Sequence, residues 1–123
     1  MEKIKTLAEF KTLLLNRQNT QQHIIVKVGA KWCNPCKPVS TYLLQSVIKQ
    51  PQLTKIIKFY EVDIDEATDI YLELKRGKYK NIPMVLFYHF ATPVLENPNI
   101  IPDKCFIGSD TQALQSFLMQ LIK

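Results

Sequence analysis

Two cysteines separated by two residues are the part of the sequence best able to do chemistry. Cys33 and Cys36 stand in the stretch KWCNPCKP, directly after a run of apolar residues. Such a pair can bind a metal ion, form a structural disulfide, or cycle between dithiol and disulfide. The chain of 123 residues has only one further cysteine, Cys105, so the count excludes a disulfide-rich scaffold. The three alternatives have to be weighed at the pair itself.

The metal and structural alternatives are the weaker two. A zinc site would need two more ligands, and the sequence offers only Cys105, His23 and His89, none of them in a second closely spaced pair. A disulfide between positions 33 and 36 closes too short a loop to restrict the unfolded chain much. We therefore predict no metal ion and no bound organic cofactor, and we favour redox chemistry.

The residues around the pair suit reversible redox chemistry. Periodicity predicts a helix over about 34–50 with Pro35 in its first turn, so the helix begins at the cysteine pair. There the unsatisfied N–H groups and the helix dipole favour a thiolate, which makes Cys33 the nucleophile. Cys36 lies three residues further on the same helical side and can resolve a mixed disulfide. The pair is predicted to be a working dithiol.

The whole chain, residues 1–123, is predicted to be one α/β domain. Apolar spacing and β-branched runs give the order helix, strand, helix, strand, helix, strand, strand, helix. The helices are predicted from the start to the polar stretch 16–22, and over 34–50, 67–75 and 110–122; the strands over 23–30, 56–64, 81–88 and 105–107. Helix-linked strands are expected to run parallel, and the last two to form an antiparallel edge. Asp65 or a neighbour is expected to cap the third helix, and Asp110 or Ser109 the last.

Charge and hydropathy argue against several classes of function. The net charge is +5, and its densest run, 75–80, falls in a predicted loop without a nucleic-acid-binding motif. No stretch is long and apolar enough to span a bilayer, and the start of the chain lacks the apolar core of a signal peptide. We expect a cytoplasmic monomer with neither nucleic-acid nor membrane partners.

Three segments, taken in order, resemble the thioredoxin family over nearly the whole chain. They are WCNPCK, similar to the family motif WCGPCK, then Ile82 and Pro83 before a strand, then Ile107 and Gly108 before the last helix. The resemblance implies a thioredoxin-like fold, with a central mixed sheet of parallel strands and an antiparallel edge hairpin, flanked by helices. It also implies reduction of protein disulfides by the cysteine pair, with electrons supplied by a thioredoxin reductase or by glutathione.

The same resemblance implies which residues contact the substrate. In the family the Ile-Pro bond is cis, and the backbone beside it pairs with extended substrate opposite the nucleophile, a role that falls here to Pro83. Side-chain contacts are expected from the residues beside the cysteines and on both sides of Pro83, namely Trp32, Asn34, Pro35, Ile82 and Met84.

Two departures from the family pattern bear on the mechanism. Where the family usually has a buried Asp and a Lys on neighbouring strands, this chain has Lys27 and Glu61. One hypothesis is that Glu61 accepts the proton of Cys36, while Lys27 keeps Glu61 ionised and favours the thiolate. The other is an ordinary ion pair at the strand ends. The second departure is an excess of about nine residues in the proline-rich segment 90–102, which is either a partner-binding surface or an inert insertion.

Two other functions stay open from the sequence. A binding module could use the 90–102 insertion, although a pure scaffold has no need of an intact cysteine pair and Pro83. A thiol oxidase or isomerase would fit an oxidising compartment better, and Asn34 between the cysteines leaves the potential undetermined between roughly −270 mV for reductants and roughly −120 mV for strong oxidants. Cys105 is expected to be a buried thiol that packs as a small hydrophobe.

Overall fold

The computed structural model describes residues 1–93 and 99–121. The helices are α1 (Leu7–Thr20), α2 (Cys36–Tyr42), α3 (Pro51–Thr54), α4 (Thr68–Arg76) and α5 (Thr111–Leu121), and the strands are β1 (Glu2–Lys3), β2 (His23–Gly29), β3 (Ile57–Asp63), β4 (Met84–Tyr88) and β5 (Lys104–Ile107). The middle of the 90–102 insertion, residues 94–98, and the end of the predicted last helix, Ile122, lie outside the described residues.

The strands form one mixed sheet in the order β1-β3-β2-β4-β5. β3 pairs in parallel with β1 on one side and with β2 on the other, while β4 is antiparallel to both β2 and β5. The predicted α/β class and the antiparallel edge hairpin are confirmed. The prediction that all helix-linked strands run parallel is wrong for β4, which follows α4 and still runs against β2.

The chain returns to the sheet at the end where it left β3. After α4 it re-enters at Met84, which pairs with Val28 near the carboxyl end of β2. This direction brings Pro83 to the same edge of the sheet as the segment that follows β2.

The core lies on both faces of the sheet, and the strand residues alternate between them. On β2, Ile24, Val26 and Val28 pack towards α1 and α4, whereas Ile25 packs towards α2 and α5. These residues are at most 4% exposed, as expected for a strand buried on both faces. The alternation assigns Lys27, with Ile25, to the face that α2 covers.

The first predicted helix differs at both ends. Glu2 and Lys3 pair with β3 instead of starting a helix, and α1 begins after Thr6, whose hydroxyl accepts a hydrogen bond from Glu9 N at 3.1 Å. The helix then continues through part of the polar stretch to Thr20, because Arg17 is buried there and hydrogen-bonded. Polarity alone therefore placed the end of the helix too early.

The helix after the cysteines is also less regular than predicted. It begins at Cys36 rather than Asn34, with Pro35 at its N-cap, and continues as a π-helical segment, Leu43–Val47, in which Ile48 N donates to Leu43 O at 2.9 Å. The predicted apolar stripe is confirmed, since its members are all buried: Cys36, Val39, Leu43 and Val47. Within residues 1–93 and 99–121, no helix is both long enough and apolar enough to cross a membrane.

One of the two predicted helix caps is confirmed and the other is wrong. Asp110 caps α5, since its Oδ1 accepts hydrogen bonds from the backbone N–H of Gln112 at 3.0 Å and Ala113 at 3.2 Å. Asp65 does not cap α4, which begins after Ala67 without a side-chain cap. The carboxylate of Asp65 has a different partner, Trp32.

Candidate functional site

The two cysteines are joined in a disulfide at the carboxyl end of the sheet. Their Cα atoms lie 5.3 Å apart. Two tight turns follow β2: Cys33 N donates to Ala30 O at 3.1 Å, and Cys36 N donates to Cys33 O at 3.2 Å. Cys33 thus stands just before the helix and Cys36 at its first helical residue. The spacing predicted that the sulfurs can meet, and they do.

The surface around the disulfide is formed by its neighbours rather than by sulfur. Cys33 is 4% exposed and Cys36 2%, whereas Trp32 is 65% exposed and Asn34 and Pro35 are also exposed. A partner that reaches Cys33 therefore has to lie against these three residues, in agreement with their predicted position at a substrate surface. A second consequence is that the disulfide is largely shielded from water.

Trp32 is held by a residue for which the sequence suggested another use. Its indole N–H donates to Asp65 Oδ2 at 2.8 Å. Asp65 follows β3, and its own backbone N donates to Asp63 Oδ1 at 2.9 Å, which orders the turn. This contact joins residues 33 positions apart, and no local pattern in the sequence signals it.

The Ile82–Pro83 peptide bond is cis, as the resemblance implied. Pro83 is buried, its carbonyl accepts a hydrogen bond from Gly108 N at 3.1 Å, and Ile82 is half-buried. Met84 is 0% exposed and belongs to the core cluster that also contains both cysteines. It therefore packs in the core of this structure, and its predicted contact with substrate stays a prediction.

Lys27 and Glu61 are direct neighbours on adjacent parallel strands, as predicted. They do not form a close ion pair: within the described part of the chain, no carboxylate oxygen lies within 4.0 Å of Lys27 Nζ. Burial lowers the pKa of Lys27, and the charges of Glu61 and Asp63 oppose that shift. The interaction is thus an electrostatic one across a gap, and the role of Glu61 as a proton acceptor stays a prediction.

Lys27 lies close to Cys36 as well as to Glu61. A methyl group placed on Gly29 would stand 3.0 Å from Cys36 Sγ and 3.3 Å from Lys27 Nζ. A surface cavity of about 460 Å³ opens onto this point. Its lining includes Lys3, Lys27, Cys36, Lys37, Glu61 and Asp63. We call it the Lys27 cavity; because Cys36 forms part of its wall, water in the cavity can come close to this residue.

Cys105 takes no part in the site. It is half-buried on β5 and packs against the same core cluster, which raises the pKa of its thiol to about 11. This agrees with the predicted role of a small hydrophobe. Within residues 1–93 and 99–121, no group of three or more His, Cys, Asp or Glu side chains is arranged to hold a metal ion.

Both ends of the 90–102 insertion are fastened to the domain by residues to which the sequence assigned no role. Arg17 donates to His89 O and Thr92 O, and Asp103 accepts from His89 N and from the hydroxyl of Thr92. The rings of His23 and His89 contact each other at a tilt of 58°, with centroids 4.4 Å apart. A lone arginine in a polar stretch gives no sequence signal for such a network.

The sequence is similar to one protein family and to several thioredoxins. The sequence profile of the family described as Thioredoxin matches residues 2–94. A mitochondrial thioredoxin of Bos taurus is 33% identical over 105 residues, which is 85% of this chain and 54% of the relative. A thioredoxin of Aspergillus fumigatus is 34% identical over 96 residues, 78% of this chain and 80% of the relative. The chain thus spans only about half the length of the bovine relative.

Solved structures of similar fold agree with these sequence matches. Thioredoxin of Plasmodium falciparum superposes with a TM-score of 0.71 at 20% identity, covering 98% of both chains. Oxidised thioredoxin O2 of Arabidopsis thaliana superposes with a TM-score of 0.69 at 24% identity, covering 99% of this chain and 94% of the other. At such identities the likeness concerns the fold, and it confirms the predicted thioredoxin-like fold class.

Proposed function

The chain belongs to the thioredoxin family, and from that premise we propose that it is a thiol-disulfide oxidoreductase that reduces protein disulfides. The observation that carries the proposal is the Cys33–Cys36 disulfide at the start of α2, with exposed Trp32, Asn34 and Pro35 around it. Two thiols that can close into a disulfide within one turn can take up and release two electrons without a metal ion or organic cofactor.

In the proposed reaction, the thiolate of Cys33 attacks one sulfur of a substrate disulfide. A Cys33–substrate disulfide forms, the substrate disulfide breaks, and the departing substrate sulfur takes a proton from water. The thiolate of Cys36 then attacks Cys33 Sγ and displaces the second substrate sulfur, which is also protonated. Two electrons have passed from the two cysteines to the substrate, and the chain is left as the disulfide.

The shielding of the sulfurs supports Cys33 as the attacking residue. Cys33 is flanked by the exposed Trp32 and Asn34, whereas Cys36 faces the sheet from the first turn of α2. A substrate that approaches from the Trp32 side meets Cys33 first. Cys36 is then close enough to release the product before another partner thiol does.

An electron donor must restore the dithiol, which makes the chain part of an electron-transport sequence. We propose a thioredoxin reductase as donor, with glutathione as the alternative, and a monomeric chain as the working form. We further propose that it works in the cytoplasm, where a disulfide is transient; mitochondrial thioredoxins among the relatives make the mitochondrion the alternative. Imaging of the tagged full-length chain distinguishes these compartments, and reduction assays with each purified donor distinguish the donors.

The test of the proposed function is turnover on a protein disulfide with dithiothreitol as terminal reductant. We expect the native chain to accelerate reduction, Cys33→Ser to abolish the acceleration, and Cys36→Ser to accumulate a mixed disulfide with substrate that mass spectrometry detects. Cys105→Ser is the matched control, since it removes a thiol outside the site and should retain full activity. A native chain no faster than dithiothreitol alone would refute the proposal and favour a binding module.

The reduction potential of the pair, measured against a glutathione buffer in the Cys105→Ser variant, distinguishes reductant from oxidant. A value near roughly −270 mV supports the reductase, whereas one near roughly −120 mV supports an oxidase or isomerase.

A further inference from the structure

The charge beside the resolving cysteine is positive in this chain. A methyl group on Gly29 would stand 3.0 Å from Cys36 Sγ and 3.3 Å from Lys27 Nζ, so these two atoms are at most about 6.3 Å apart. Lys27 is 8% exposed and lies on the sheet face that α2 covers. An opposite charge within about 4–6 Å favours the charged form of a titratable group, and the charged form of Cys36 is the thiolate.

The groups around this pair leave the ammonium free to act on sulfur. From β3, Glu61 and Asp63 line the Lys27 cavity, yet within the described residues neither carboxylate approaches Lys27 Nζ to 4.0 Å. The other titratable groups of the cavity wall are lysines: Lys3 from β1, Lys31 from the loop after β2, and Lys37 from α2. Lys3 and Lys31 both pair with Glu66, at 3.3 Å and 3.6 Å, so their charges are largely balanced by its carboxylate. The ammonium group that the geometry places beside Cys36 Sγ is that of Lys27.

The cavity also gives the proton of Cys36 a path to solvent. Cys36 is 2% exposed, and it forms part of the wall of this open cavity. A proton released there can pass to water without a dedicated carboxylate. An ammonium cannot accept that proton, but it can lower the cost of releasing it.

We propose that Lys27 is a positioning residue for the resolving step, where it stabilises the thiolate of Cys36. The proposal rests on the oxidoreductase function above. Cys36 releases its proton to water in the Lys27 cavity, and its thiolate attacks Cys33 Sγ. The Cys33–Cys36 bond forms as the Cys33–substrate bond breaks, and the substrate sulfur leaves with the electron pair and takes a proton from water. In this scheme water takes the proton, and the negative charge of Glu61 disfavours the thiolate and so opposes the effect of Lys27.

The experiment isolates Cys36 as the sole thiol, in the Cys33→Ser, Cys105→Ser background, and titrates it by its ultraviolet thiolate absorbance. We expect a pKa below the ordinary value of about 8.5. Adding Lys27→Met should raise that pKa by roughly one to two units, from a unit charge about 6 Å away in a partly buried site. Lys27→Arg should keep it low. Glu61→Gln is the matched control, since it removes the neighbouring charge of opposite sign and should leave the pKa unchanged or lower it.

The kinetic counterpart uses the native cysteine pair. The rate at which Cys36 releases a small thiol from its mixed disulfide with Cys33 should fall about threefold at neutral pH in Lys27→Met. A pKa shift of about one unit lowers the thiolate fraction about tenfold, and the more basic thiolate is about threefold more nucleophilic. The pH profile of release should move upward by the same shift of about one unit. A merely structural role of Lys27 would change the stability of the fold and leave this profile in place.

Three results would overturn the proposal. One is a Cys36 pKa that Lys27→Met does not move; another is an upward shift in Glu61→Gln as large as that in Lys27→Met. The third applies if Lys27→Met does not fold, when the pKa of Cys36 in the Cys33→Ser, Cys105→Ser variant is the test. A value at or above the ordinary one contradicts a stabilised thiolate. Failure of the native chain to reduce protein disulfides is a separate result, which would remove the oxidoreductase function while the Cys36 titration still reports on Lys27.

Discussion

Replacing Arg17 by methionine should destabilise the domain by loosening the insertion from α1. Arg17 is 6% exposed, and its guanidinium donates three hydrogen bonds to backbone carbonyls: to Leu14 O at 2.9 Å, His89 O at 2.9 Å and Thr92 O at 3.3 Å. Two of these carbonyls belong to the chain that leaves β4. Methionine retains the apolar stem and removes all three donors, so the change tests the hydrogen bonds rather than the packing.

The size of the effect follows from the geometry. A hydrogen bond to a charged donor contributes about 1.5–3 kcal/mol, and the 3.3 Å bond lies at the weak end. The variant no longer buries a guanidinium, which offsets part of the loss. We therefore expect the free energy of unfolding to fall by about 2–4 kcal/mol, from a total of about 5–15 kcal/mol for a domain of ordinary stability.

Urea unfolding of the oxidised protein, followed by circular dichroism, measures this loss. Arg76→Met is the matched control, because the Arg76 side chain is 79% exposed and its bond to Glu73 at 3.3 Å is a surface pair that should contribute less than about 0.5 kcal/mol. In both variants the free energy of unfolding should change with urea concentration as steeply as in the native protein, as long as unfolding stays two-state. If Arg17→Met loses no more stability than Arg76→Met, the three hydrogen bonds do not fasten the insertion, and the reasoning fails.

Three further predictions concern buried groups. Tyr88→Phe should cost about 1–2 kcal/mol in the same assay, because the buried hydroxyl donates to Ile100 O at 2.6 Å; an unchanged midpoint would mean that water replaces this bond. Cys105, with a pKa raised from 9.0 to about 11, should be alkylated at neutral pH about a hundredfold more slowly than an unshifted thiol, with a rate that climbs up to about pH 11; a plateau near pH 9 would contradict the burial. Burial and, to a smaller extent, His89 lower the pKa of His23 below 6.5, so near that pH the unfolded chain binds more protons than the folded one. The free energy of unfolding should therefore fall as the pH drops through about 6.5. His23→Phe should reduce this pH dependence, and an unchanged dependence would show that other groups cause it.

The sequence predicts most of this architecture because its strongest signals are local. The β-branched run of β2, the apolar stripe through Cys36 and the carboxylate of Asp110 each act within a few residues. The cysteine pair and Pro83 lie in short motifs whose resemblance to a family could be quoted letter by letter. Signals of this kind can be seen without knowing which distant residues lie close together in the fold. They placed most elements to within a few residues.

The elements that the sequence missed depend on distant partners. β1 exists because two residues pair with Tyr60 and Glu61, and a two-residue strand has no periodicity of its own. The tail of α1 stays helical because Arg17 reaches carbonyls more than 70 positions away. Asp65 resembled a cap by position, and its actual partner, the indole of Trp32, is set only when β2 and β3 lie side by side.

Lys27 and Glu61 show that a correctly predicted strand register does not by itself identify which charged group acts on Cys36. The family resemblance predicts Lys27 and Glu61 on neighbouring strands, which the strand pairing confirms, and one hypothesis drawn from it is a carboxylate base that a lysine keeps ionised. The direction of α2 over the sheet adds a third member, since it brings Cys36 to Gly29 on the lysine side. An ammonium beside the resolving sulfur stabilises the reduced, thiolate-bearing state, whereas a carboxylate at that position would destabilise it. Because a more stable reduced state means a more positive reduction potential, this chain should be a weaker reductant than relatives with a buried carboxylate there. Lys27→Met should then make the reduction potential more negative. If the potential measured at a pH above the pKa of Cys36 does not change in this variant, the charge of Lys27 does not influence the reduction potential of the pair.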